Sequence, residues 1–218
     1  MIYAYIGIPI DIAKIADIGA GTGKLTEQLL EMGFKGFAVE PNDQMRSEGI
    51  KQNEYGKKII WSKGFGEETG LADNSVDWVF MASSFHWTDH KKSIPEFHRI
   101  LKPGGYFTAL WNPRNLVSSK LHMRIEEKIN NLIPDLKRIS SGGKKYTEGL
   151  EEKLLFNDYF GNLIFTEADH NVEMTKSRYM GAWKSVNDIQ AQAGEDRWLR
   201  VLDAISNTHV YQYSDARQ

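Results

Sequence analysis

Through the first half of the chain, short apolar runs alternate with amphipathic stretches, and this alternation is the main guide to architecture. One apolar run ends at Ile18, another covers Gly36-Phe37-Ala38-Val39, a third spans Val76 to Ala82 and a fourth Tyr106 to Trp111. Val76 to Ala82 is apolar nearly throughout, as suits a central parallel strand covered on both faces. Strand and helix alternating in this way predict an α/β fold with a parallel sheet. Beyond Trp111 the pattern changes. Leu121, Ile125, Ile129, Leu132 and Ile133 fall on one helical stripe, with Met123 and Ile133 read as packing residues. Pro134 to Gly149 is polar around Ser140-Ser141-Gly142-Gly143-Lys144-Lys145, a loop by composition. Leu163 to Val172, with Phe165, alternates loosely like a strand, Asp196 to Ile205 is helical, and His209 to Tyr213 reads as a last strand. No internal repeat is visible.

Composition narrows the class without selecting an activity. With 218 residues, 41% of them apolar, the chain can bury one good core, and a single domain over 1–218 is expected. A net charge of −2 and a pI near 6.3 give no electrostatic case for a nucleic-acid-binding surface. The absence of cysteine rules out disulfides, thiolate nucleophiles and zinc–thiolate sites, and suits a cytoplasmic location. No apolar stretch reaches the roughly 18 residues of a membrane span, and Met1 to Ile10 lacks the basic start of a signal peptide. No membrane partner is expected.

The candidate chemistry begins at Asp17-Ile18-Gly19-Ala20-Gly21-Thr22-Gly23, between the first apolar run and a helical pattern. Alternating glycines let the backbone turn sharply and approach a ligand, while the next helix directs its free N–H groups to the same spot. A P-loop would need glycine where Ile18 stands and a hydroxyl where Leu25 stands. The dinucleotide fingerprint G-x-G-x-x-G would need a third glycine where Lys24 stands. The pattern D-x-G-x-G-x-G fits without a mismatch. Glu40 follows the second apolar run, about 20 residues on, where an acid at a strand tip can accept hydrogen bonds from both hydroxyls of a ribose. His86 and Asp89 follow the Val76–Ala82 strand, at the carboxyl edge where open α/β sheets hold ligands, and imidazole there could take a proton near neutral pH. His86, Asp89 and His90 lack the repeated ligand spacing of a zinc site, so no metal is expected.

These motifs together resemble the class I S-adenosylmethionine-dependent methyltransferases. Asp17 to Gly23 is similar to their first motif, and Glu40-Pro41-Asn42-Asp43-Gln44-Met45 to an acidic-x-Ser/Asn-x-x-Met pattern. Gly64 to Asp77, Phe85-His86-Trp87-Thr88-Asp89, Glu96 to Gly105 and Trp111-Asn112 resemble the small-molecule, type 11 subgroup related to the ubiquinone and trans-aconitate enzymes. Many relatives carry an aspartate for the adenine amino group where this chain has Phe65.

The resemblance implies a Rossmann-like, doubly wound, mostly parallel sheet of seven strands with helices on both faces. A helical lid insertion at 115–160 would follow strand 5, and Lys102-Pro103-Gly104-Gly105 would stop a helix and turn into that strand. S-adenosylmethionine is the implied cofactor. Its methionine end falls to Gly19, Gly21 and Gly23, its ribose to Glu40 and its adenine to Pro41, Met45, Phe65, Gly66 and Glu67, with Asp17, Ala20 and Ser83 completing the set. A small-molecule acceptor would meet Trp87, Trp111, Asn112, Arg114 and Arg178, with His86 and Asp89 as candidate catalytic groups. Relatives carry a longer cover before the first strand than the sixteen residues preceding Asp17, so a short N-terminal cover is expected.

Two alternatives come from other classes. One is a catalytically silent S-adenosylmethionine-binding or interaction protein. The other is a nicotinamide-dependent oxidoreductase, for which no Tyr-x3-Lys pair is evident. A nucleic-acid N-methylase is disfavoured, because Ala82-Ser83-Ser84-Phe85 is not its Asn/Asp-Pro-Pro-aromatic clamp.

Overall fold

β-strands form where the four apolar runs lie and also over Ile59–Ser62, which the alternation did not single out. The computed structural model describes residues 7, 9–52, 58–112, 119–137, 149–155, 158–168 and 172–215. Strands β1 (Lys14–Ile18), β2 (Lys35–Val39), β3 (Ile59–Ser62), β4 (Val76–Ala82) and β5 (Leu101–Leu110) pair in parallel, in the order β3-β2-β1-β4-β5. Helices α1 (Lys24–Glu31), α2 (Asp43–Gln52) and α3 (His90–Ile100) make the crossovers. The chain runs outward from β1 through β2 to β3, then returns to place β4 on the other side of β1. This reversal opens a crevice at the carboxyl ends of β1 and β4, where doubly wound sheets bind ligands.

Side-chain alternation covers both faces of the sheet. Ile15, Trp78 and Phe80 pack with Leu29 of α1 and with Phe34 on one face. Ala16, Ile18, Val79 and Met81 pack with Ile94, Phe97 and Ile100 of α3 on the other. α2 lies close on β3, since a Cβ on Gly49 would come within 2.3 Å of the Trp61 ring.

The chain divides into two compact units where one domain was expected. The first comprises residues 1–112 and 146–164, the second 113–145 and 165–218. The expected 115–160 insertion is therefore split between them. In the first unit, Leu150 and Leu154 of α5 (Leu150–Leu154), with Tyr159 and Phe160, pack on the face of the sheet that α3 covers. The second unit holds α4 (Lys120–Leu132), α6 (Lys176–Lys184) and α7 (Asn187–Asp215, broken at Gly194). Ile125, Ile129, Ile133, Trp183, Trp198 and Val201 form its own core, whereas Met123, read as packing, is exposed.

Several expectations need correction. Among the described residues the sheet has five strands rather than seven. Leu163 to Ala168 joins no strand, and Leu163, Ile164 and Phe165 are exposed. His209 to Tyr213 continues helix α7. No Gly or Pro separates it from Ile205, and buried Val201, Ile205 and Thr208 recur at helical spacing, so the helix outruns the β-propensity of Val210, Tyr211 and Tyr213. β5 begins at Leu101, directly after α3, and its register against β4 shifts between Val76 and Trp78. Lys102 therefore pairs with Asp77, at 2.8 Å, instead of serving a helix end. The polar loop centred on Ser140–Lys145 lies outside the described residues.

Asp77 ties two strands to its own. Its carboxylate accepts from Lys102 Nζ and, at 2.9 Å, from the Lys14 backbone N–H at the start of β1. Asp77→Ala is expected to cost about 1–3 kcal/mol of stability, seen as a lower midpoint of urea unfolding. An unaltered midpoint would show the bridge to be dispensable.

Candidate functional site

The residues Gly19 to Gly23 leave β1 at the crevice, and the sheet register shapes the turn they make. Ile18 pairs with Val39 at the ends of β1 and β2, and the Gly19 and Ala20 N–H groups both donate to the Val39 carbonyl, at 2.8 and 3.1 Å. Gly19 and Gly21 have φ of 70° and 59°, in the left-handed region that side chains disfavour. A Cβ on Gly19 would strike Ser84 at 2.7 Å, whereas one on Gly21 would meet nothing within 4 Å. The turn thus backs onto the end of β4 at Gly19 and is open at Gly21.

Glu40, the first residue beyond β2, is 5% exposed, and backbone donors hold both of its oxygens. The Gly21 N–H donates to Oε2 and the Asn42 N–H to Oε1, each at 2.8 Å. The turn and the acid expected to act with it are therefore in direct contact. Asp17 lies behind them, 1% exposed, accepting from the Thr26 hydroxyl of α1 at 2.6 Å. Burial pushes its carboxyl up to about 6, against the Thr26 bonds, and the negative charge of Glu40 adds to the rise.

Three further segments meet the crevice. Asn42 caps α2 by accepting from the Gln44 and Met45 N–H groups, and Met45 stands 46% exposed instead of packing inward; Pro41 is half-buried. The loop after β3 shows Phe65 54% exposed, closed by reciprocal backbone bonds between Phe65 and Glu68. A Cβ on Gly66 would collide with Thr88, at 2.6 Å, and both Gly19 and Gly66 approach the methyl end of Met81. At the end of β4, Ser83 adopts a φ of 52°, unusual for a side chain, and Ser84 Oγ donates to the Ile18 carbonyl at 3.1 Å.

A short 3-10 turn, Phe85–Trp87, comes next. Trp87 is 68% exposed, and its ring lies 4.9 Å from that of His86. Asp89 is the N-cap of α3: its carboxylate accepts from the Lys91 N–H at 3.1 Å, while its own N–H donates to Glu67 Oε1 at 2.6 Å. The Trp111 indole N–H donates to His86 Nδ1 at 3.3 Å. Indole nitrogen can only donate, so Nδ1 carries no hydrogen and the neutral ring holds its proton on Nε2. Burial, and then the neighbouring His90, lower the His86 pKa and keep the ring neutral at pH 7.

The structure therefore groups Asp17, the glycine turn and Glu40 in one contact set. It joins Glu67 to Asp89 and His86 to Trp111 in two others. Asn112 comes directly after Trp111 at the end of the first unit, and Arg114 lies outside the described residues. Arg178 is exposed on α6 in the second unit. Sequence reasoning did not single out Ser84 or Thr88, whose roles depend on contacts made across the crevice. Among the described residues no cluster of His, Cys, Asp and Glu could hold a metal ion, and no helix is long and apolar enough to cross a membrane.

Comparison with known proteins covers the same part of the chain. Residues 16–109 match a family model described as a methyltransferase domain. An uncharacterized methyltransferase of Mycobacterium tuberculosis is 39% identical over 111 residues, covering 50% of this chain and 43% of that protein. The demethylmenaquinone methyltransferase of Chlorobaculum parvum is 32% identical over 114 residues, covering 50% and 46%. The chain thus matches less than half the length of these relatives. A solved structure provisionally assigned as a type II methyltransferase, from Anaeromyxobacter dehalogenans, shares the fold with a TM-score of 0.62 at 19% identity, covering 95% of this chain and 86% of its own.

Two measurements test this geometry. Because the folded value of Asp17, about 6, lies above the ordinary 3.8, the folded protein keeps a proton between roughly pH 4 and 6 that the unfolded chain releases. Stability should therefore fall as pH rises through that window, by up to about 3 kcal/mol. Asp17→Asn should remove this limb from the pH profile of urea unfolding, and a limb that survives would belong to another group. For His86, 15N NMR should show the Nε2-protonated tautomer at pH 7, moving to a tautomer mixture in Trp111→Phe. A mixture already present in the wild type would break the assignment.

Proposed function

Residues 16–109 form a class I S-adenosylmethionine-dependent methyltransferase domain of the type 11 kind, and from that premise we propose that this chain transfers a methyl group from S-adenosylmethionine to a small-molecule acceptor by in-line displacement. The observation that carries the proposal is the bond from the Gly21 N–H to Glu40 Oε2. It sets an open backbone turn and a buried carboxylate side by side at the switch point of the sheet, as an adenosyl ligand requires.

The residues present fit that ligand. Gly21 leaves room where a side chain would intrude. Each Glu40 oxygen accepts one backbone N–H, and a carboxylate oxygen has a further lone pair for a ribose hydroxyl. Asp17 and Glu40 repel one another, so a cationic ligand nearby is favoured over a neutral one. Met45 and Phe65 offer exposed apolar surface for an adenine face, with Pro41, Gly66 and Glu67 beside them.

When bound, the sulfonium compound supplies an electrophilic methyl group and a neutral leaving group. The protein's part is to orient: Gly19, Gly21 and Gly23 hold the amino-acid end, and Glu40 fixes the ribose. On the acceptor side, His86, Trp87 and Trp111 shape the approach to the methyl. The bond from Trp111 fixes the direction of the His86 ring, so its contribution is to shape the approach of the acceptor. Asp89, as helix cap, fixes the start of α3 beneath the turn that carries His86 and Trp87. Asn112, next to Trp111, is a proposed contact for a polar group of the acceptor. A cytoplasmic location accords with the cysteine-free sequence.

Mass spectrometry of the purified protein is expected to find retained S-adenosylhomocysteine, and calorimetric titration to give a dissociation constant for it. Glu40→Ala should weaken that binding by about 1–3 kcal/mol. Equal affinity in the variant would remove Glu40 from the site. Tight binding of NAD with none of S-adenosylhomocysteine would transfer the assignment to the oxidoreductases.

A further inference from the structure

We propose that Glu96 of α3, acting through Thr69, is a positioning residue that sets the geometry of the loop Gly64–Gly70 and with it the preference for an adenine base. The inference rests on the proposed function, in which Phe65, Gly66 and Glu67 form the adenine edge.

This loop holds an exposed Phe65, a buried Gly66 and a half-buried Glu67 between two anchors on one helix. At the first anchor, Glu67 Oε1 accepts from the Asp89 N–H at the cap of α3. At the second, Glu96 Oε1 accepts from both the backbone N–H and the hydroxyl of Thr69, at 2.8 and 2.5 Å. Thr69 is fully buried, and its carbonyl lies 2.6 Å from where a Cβ on Gly64 would stand. The exit of the loop is thus docked on its entrance.

Glu96 is itself locked in place. Arg99 Nε donates to its Oε2 and Arg99 Nη2 to its Oε1, both at 2.8 Å. The same Nη2 donates to the Leu71 carbonyl at 2.8 Å, and Arg99 also pairs with Asp73. Although burial pushes the Glu96 carboxyl up, the bonds from Arg99 and Thr69 hold it below the usual range and ionised.

The fold does not depend on this lock in the same degree. α3 is seated on the sheet by Ile94, Phe97 and Ile100. Loss of the lock therefore frees the loop while the helix remains docked. Because a half-exposed Phe65 takes its direction from the loop backbone, base recognition is what such freedom would blur.

The test measures dissociation constants for S-adenosylhomocysteine and its hypoxanthine counterpart, S-inosylhomocysteine, in the full chain. Circular dichroism confirms folding at the assay temperature. In Glu96→Gln and Thr69→Val the constant for S-adenosylhomocysteine is expected to rise about tenfold, and the preference for it over the inosyl compound to shrink. Thr69→Ser, which keeps the N–H and the hydroxyl, should retain both wild-type values. A lower melting temperature alone would not produce the change in preference. Folded variants with wild-type affinity and preference overturn the proposal, as does a wild type that binds the two compounds equally. Should Glu96→Gln fail to fold, Thr69→Val decides the matter. If the wild type binds neither compound, the methyltransferase reading itself fails and the inference falls with it.

Discussion

One backbone amide, that of Gly21, joins the turn after β1 to the acid after β2 by donating to the buried carboxylate of Glu40. That contact is possible because β1 and β2 end level: Ile18 lies opposite Val39, and the Val39 carbonyl receives two N–H groups from the turn. A shift of one residue in this register would move Glu40 to the opposite face and separate it from Gly21. The parallel pairing of two short apolar strands thus determines where a polar ligand can be held. Asp17 shows what this arrangement costs, since a carboxyl buried behind a second carboxylate is pushed towards its neutral form.

Across the switch point, the rim is assembled from contacts between segments distant in sequence. Ser84 reaches back to the Ile18 carbonyl, Thr88 fills the space beside Gly66, and Glu67 receives the Asp89 N–H. Each contact joins the segment after β4 either to the glycine turn or to the loop after β3. α3 then works as a strut. Its apolar face is fixed in the core, while its polar residues reach the loop from the cap and from its last turns. A ligand seated in the crevice would meet a frame whose parts constrain one another.

The first half of the fold was legible in the sequence because a parallel sheet buried on both faces demands long apolar runs, and runs ending at Ile18, Val39, Ala82 and Trp111 stand out against their polar surroundings. Glycine spacing and an acid at the right distance exposed the turn and Glu40 for the same reason: backbone geometry restricts residue choice there. The second half was harder to read. His209 to Tyr213 has strand-like residues, yet it continues a helix whose buried stripe begins well before it. Leu163 to Phe165 has strand-like apolarity but no partner strand among the described residues, and pairing is a property of the whole sheet. Two cores arose where one had been expected, since the stripes of α4 and α7 suit one another and alternation along one helix does not reveal its partner. The pairing of Trp111 with His86, and of Glu96 with Thr69, likewise depends on three-dimensional neighbours that spacing cannot supply.

The same pairing of Trp111 with His86 bears on how little proton chemistry the proposed reaction needs. A histidine at the carboxyl edge of β4 suggests a base, but a donor-only indole on Nδ1 leaves a neutral ring whose remaining nitrogen bears hydrogen. To take a proton, that ring would have to give up the indole bond and become cationic in a position where burial and His90 already oppose positive charge. Methyl transfer from a sulfonium makes a smaller demand, because the leaving group departs neutral and the barrier falls chiefly through alignment. A ring held by Trp111 and lying tilted beside Trp87 is well suited to alignment. On the proposed reading, the acceptors that fit are those whose nucleophilic atom is ionised or carries a lone pair at neutral pH, with the aromatic rim selecting them by shape.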